Sequence, residues 1–184
     1  MDETLLVTLA IVAALILVGL FLFRRRRSEK LQSRFGPEYE REVEARGSRA
    51  KAEADLLERQ KRVQKLTIKP LDPAERTAFT TRWTDVQARF VDDPPRAVTY
   101  ADALLGEVMT ARGYPVSDFE QRAGDISVDH PQVVENYRAG HDIAERHARG
   151  EAGTEDLRQA MIHYRSLFEE LVQEEDRSPE PARR

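Results

Sequence analysis

Cysteine is absent from all 184 residues. That excludes disulfides, thiolate chemistry and cysteine-ligated zinc or iron–sulfur centres. The 9 glycines are scattered, so neither G-x-G-x-x-G nor a Walker lysine loop is available to cradle phosphate. No G-x-S-x-G elbow exposes a serine, and the HExxH and EF-hand patterns are missing as well. Alternating Val/Ile/Thr-rich runs bounded by hairpin dipeptides are also lacking, which removes the usual signature of a sheet. Lysine is confined to Lys30, Lys51, Lys61, Lys65 and Lys69, and the region beyond uses arginine alone. Residues 73–174 hold 11 basic and 19 acidic side chains, a net −8 that speaks against phosphate-backbone binding and hence against a nucleic-acid partner.

The chain does contain one long apolar run. The 19 residues from Leu5 to Phe23 carry no charge and lead directly into Arg24, Arg25, Arg26 and Arg27. As a helix this run is roughly 28 Å long, close to the roughly 30 Å of bilayer hydrocarbon. The expectation is a single-pass anchor in the cell (plasma or inner) membrane. The positive-inside bias then puts the short acidic N-terminus (Asp2, Glu3) outside and the C-terminal part in the cytoplasm. A cleaved secretory signal is the rival, and its basic leader, shorter core and small-residue cleavage site are missing. The four arginines form the expected membrane-surface contact, each worth about 1 kcal/mol against anionic headgroups. Ala10 and Ala14 are spaced for close helix approach but read more simply as lipid-facing.

Punctuation divides the remainder into a connector at 28–72, a helical domain at 73–174 and a tail at 175–184. Gly36 and Pro37 open a helix whose acid-then-base pairs Glu42/Arg46, Asp55/Arg59 and Glu58/Arg62 support a solvated rod. Val43, Ala50 and Leu57 recur at seven, but Gly47, Ala54 and Lys61 make a poor second seam, so the rod reads as a spacer in preference to a coiled coil. Gly47 and Ser48 mark its weak point. Asp72, Pro73 and Glu75 then cap a helix with Phe79, Trp83, Val86 and Phe90 on one face. Asp93 and Pro94 start another, bearing Val98, Ala101, Leu105, Val108 and Met109 and ending at Gly113. Ser117 with Glu120 suggests a capping box for a short helix, Val133 to Ile143 marks the next, and Thr154 caps the last. The fold class is therefore all-α: an N-terminal transmembrane helix, a charged juxtamembrane helix and a small C-terminal helical bundle. The tail, with Ser178, Pro179 and Pro181, has little to bury and is expected to be disordered.

Candidate chemistry is thin. His141 and Glu145 share a helix face at a spacing that metal sites use, yet one such pair does not make a site, and no metal or cofactor is assigned. His163 beside Tyr164 reads as half-buried structure. Asp129 next to His130 is readable as an acid/base pair, though Asp-x-Pro more commonly caps a helix. Trp83 reads as a core anchor, its alternative being an exposed hot spot. The candidate polar interaction surface is Asp118, Arg122, Asp125, Asp129 and His130, packed into one short helix and its flanks. A network tying helices together is the competing reading of the same cluster.

Three stretches, Arg34-Phe-Gly-Pro-Glu-Tyr39, Asp118 to Pro131 and Glu155 to Phe168, resemble those of an uncharacterised family of bacterial single-pass membrane-anchored helical proteins. The resemblance implies this architecture and brings no activity or catalytic residue. The expected function is a non-enzymatic interaction or scaffold module with a protein partner. Self-association into a homo-oligomer and an enzyme using the His/carboxylate cluster are the alternatives.

Overall fold

The computed structural model describes residues 3–173. The tail from Glu174 to Arg184 lies outside the described residues, so the expected disorder there is not addressed. Among the described residues all regular structure is helical, in eight helices without a strand. The chain divides into two compact units, one reaching to Leu56 and the other starting at Leu57.

In the first unit, α1 (Glu3–Phe35) carries the apolar run and is long and apolar enough to cross a membrane. It passes through the four arginines without a break and stops only at Gly36, whose φ of 49° leaves the right-handed helical region. The break falls at Gly36 and Pro37, where the sequence places the start of the next helix. Pro37, which has no N–H to offer, occupies the first position of α2 (Pro37–Arg46), and Gly47 at φ 61° closes it. α3 (Arg49–Val63) follows. The single charged rod expected to run on from Gly36 and Pro37 is thus two helices, divided at Gly47, the expected weak point. Nor is its first part straight: the Ser28 and Tyr39 hydroxyls both donate to Glu53, the latter at 2.9 Å, bringing α1, α2 and the start of α3 together. Phe35, Tyr39, Ala52 and Leu56 are buried. The Glu42–Arg46 pair forms at 2.6 Å, and Arg46 also reaches Asp55 at 2.9 Å.

The second unit contains α4 (Pro73–Arg89), α5 (Pro94–Arg112), α6 (Phe119–Asp129), α7 (Val134–Ala148) and α8 (Thr154–Gln173). Asp72 and Glu75 make the reciprocal capping box of α4, and Asp93 caps α5. Gly113, at φ 103°, ends α5 against the Thr67 carbonyl, where no Cβ fits. For α6 the cap is Asp118, accepting from Gln121 N at 2.9 Å, one residue beyond the expected Ser117. α8 packs against α4, α5 and α7, and α5 also contacts α4 and α7. Its stripe of Leu157, Met161, Tyr164, Phe168 and Leu171 is buried as the spacing required. Trp83 is buried and stacked on Phe168, the ring centroids 4.5 Å apart, so it anchors the core.

Candidate functional site

The polar cluster was expected on α6 and its flanks, and the structure sends its members in different directions. Asp118 stays local as the cap. Arg122 reaches Asp102 on α5 at 3.3 Å. Asp125, whose side chain is 2% exposed, receives both Nε and Nη2 of Arg62 at 2.8 and 2.7 Å. Asp129 accepts from the Tyr114 hydroxyl at 3.1 Å and caps no helix, while Nδ1 of the buried His130 lies 3.2 Å from Glu170 Oε1 on α8. Residues 123–128 are all buried, so the middle of α6 is enclosed and lines no open groove. Arg62, expected to pair with Glu58, is drawn instead to the buried Asp125, where a lower local dielectric makes a charge partner worth more.

The closest convergence of these groups centres on Asp102, which the sequence reading passed over. It accepts from the Tyr137 hydroxyl at 3.1 Å as well as from Arg122. Gly106 makes room for Arg122: a Cβ there would lie 2.8 Å from its Nη1. Tyr164 is fully buried nearby, and its hydroxyl has no hydrogen-bond partner among the described residues. Burial first, and the Asp102 carboxylate second, push both tyrosine hydroxyls well above their ordinary pKa. These are neutral donors at any physiological pH and make poor bases. The missed signal was Asp102 itself, a carboxylate set among the apolar positions Val98, Ala101 and Leu105.

The histidines are separately occupied. His141 stacks on Phe119 and lies 3.5 Å from Glu145; His147 Nδ1 meets the Ala152 carbonyl at 2.8 Å; His163 Nδ1 meets Asn136 Oδ1 at 3.0 Å. Among the described residues no group of three or more metal-ligating side chains comes together.

A concave site does occur in the first unit. Beside the arginine run, a cavity of about 830 Å³ is walled by Phe21, Arg24, Arg25 and Arg27 from α1 and by Arg49 from α3. Its floor includes the Ser28–Glu53–Tyr39 hydrogen bonds. Burial, then the bond to Glu53, raises the Tyr39 pKa, keeping that hydroxyl neutral. Arg26, in the middle of the run, does not line the cavity. The sequence pointed to the four arginines as one surface but gave no sign of Arg49, because nothing in its spacing showed that α3 folds back. No protein family, curated protein or solved structure matches this chain.

Proposed function

We propose that the protein is a single-pass membrane-anchored, non-enzymatic interaction module. In this reading α1 lies in the cell membrane with its arginine end on the cytoplasmic side, and the acidic region from residue 73 forms a small helical bundle that engages a protein partner. The observation that carries it is the solvation of α1. Twelve large apolar side chains from Val7 to Phe23 are between 48% and 67% exposed. Covering such side chains is worth about 1.5 kcal/mol each at the low end, on the order of 20 kcal/mol together, more than the whole net stability of an ordinary domain. An apolar solvent supplies that covering. The four arginines that follow favour the cytoplasmic side.

Alkaline carbonate extraction of cells expressing the full chain tests the anchor: the chain is expected in the membrane pellet, and release into the supernatant contradicts the reading. For the interaction half, purification in mild detergent is expected to bring down one partner in reproducible stoichiometry. A chain that purifies alone would count against it.

A further inference from the structure

We propose that the cavity beside the arginine run binds a phosphate-bearing anion, presented either by a lipid headgroup or by a soluble phosphate ester. This rests on the reading of α1 as a membrane helix. With Leu5–Phe23 in hydrocarbon, Arg24 to Arg27 rise through roughly the next 6 Å, the depth of the headgroup layer. Phe21 on the cavity wall belongs to the apolar side of that boundary and the arginines to its polar side. The space is amphipathic in the same sense as a phospholipid.

Charge and geometry agree. Four guanidinium groups and two carboxylates, Glu29 and Glu53, line the space, an excess of two positive charges. Glu53 already accepts from Ser28 and Tyr39, and Glu29 pairs with Arg25 at 3.0 Å in an exposed contact of little worth. Arg24, Arg27 and Arg49 form no ion pair with a carboxylate among the described residues. Arginines from two different helices thus line one concavity, and guanidinium forks are suited to the tetrahedral oxygens of phosphate. A volume of about 830 Å³ holds a headgroup-sized ligand, within the usual span of small-molecule sites.

Arg26 supplies the internal control, since it carries the same charge at the same depth outside the cavity. The test is native mass spectrometry of the full chain in detergent, titrated with phosphatidylglycerol, phosphatidylcholine and glycerol 3-phosphate. Phosphatidylglycerol is expected to be retained about tenfold better than the zwitterionic lipid. Arg49→Gln should weaken that retention about tenfold, Arg27→Gln likewise, and Arg26→Gln by less than about twofold. Arg49 is exposed on its helix, so its variant keeps the fold, and circular dichroism checks this. If excess glycerol 3-phosphate displaces the lipid, the site takes its phosphate from solution; if it does not, the source is the bilayer. Equal losses for Arg26→Gln and Arg49→Gln, or equal retention of the two lipids, would overturn the site. Those outcomes differ from failure of the anchor, which shows as carbonate release of the wild-type chain.

Discussion

Tyr137 and Tyr164 share a buried neighbourhood and differ by one hydrogen bond. Tyr137 donates to a carboxylate, so Tyr137→Phe is expected to cost about 1.5–3 kcal/mol. Tyr164 has no such bond to lose among the described residues, and Tyr164→Phe should be neutral or stabilising by up to about 2 kcal/mol. Urea unfolding of the full chain in micelles, followed by the fluorescence of Trp83, the sole tryptophan, separates the two outcomes. A matching pH dependence follows. Both hydroxyls have folded pKa values raised above the ordinary 10, so their contribution is complete below pH 10 and is lost as pH rises above it, where the unfolded chain ionises first. The loss approaches about 1.4 kcal/mol per pH unit for each tyrosine, and Tyr164→Phe should remove one share of it without the cost of a lost bond. Gly140 sets two effects against each other. Alanine gains up to about 1 kcal/mol of helix propensity, but its Cβ would lie 2.7 Å from the Tyr164 ring, and overpacking of that kind costs about 1–3 kcal/mol. Packing wins, so Gly140→Ala should lower the urea midpoint.

Among the helices, α6 shows where local rules become ambiguous. Ser117 with Glu120 and Asp118 with Gln121 both satisfy the spacing of a capping box, and the sequence offers no way to choose. Tertiary contact decides: Glu120 is taken by Arg138 at 2.9 Å, and Asp118, in extended backbone, accepts from Gln121 N. Asp118→Ala is therefore expected to cost about 1 kcal/mol and Ser117→Ala almost nothing, read as shifts in the urea midpoint at constant slope. Elsewhere the helices were legible because each apolar stripe and each Asp-Pro or Gly boundary is a local signal. α5 and α8 bury the side chains their spacing selected, while α4 buries Trp83 and Val86 and leaves Phe79 and Phe90 half-buried. The break at Gly47 was legible as a weak point; the return of α3 onto α1 was not. That return depends on Glu53 meeting Ser28 and Tyr39, a contact between helices that no single-helix periodicity encodes.

For the whole molecule, the candidate sites follow the same division. The arginine run was readable as a block of charge, whereas the cavity it shares with Arg49, and the Asp102 network joining α5, α6 and α7, need long-range packing to exist. The cluster on α6 looked like one surface in sequence and becomes ties to Arg62, Asp102, Tyr114 and Glu170 in space. The anchor is the opposite case: its logic is solvation alone, so composition sufficed to propose it. Absence of cysteine makes that claim open to a clean experiment, because any introduced thiol is the only one present. Thr80 is exposed on α4 and tolerates the change to Cys. In intact cells expressing the full-length Thr80→Cys chain, a membrane-impermeant maleimide is expected to leave the thiol unlabelled until the membrane is opened by detergent. Full labelling before lysis would place the helical region on the outer side and contradict the account.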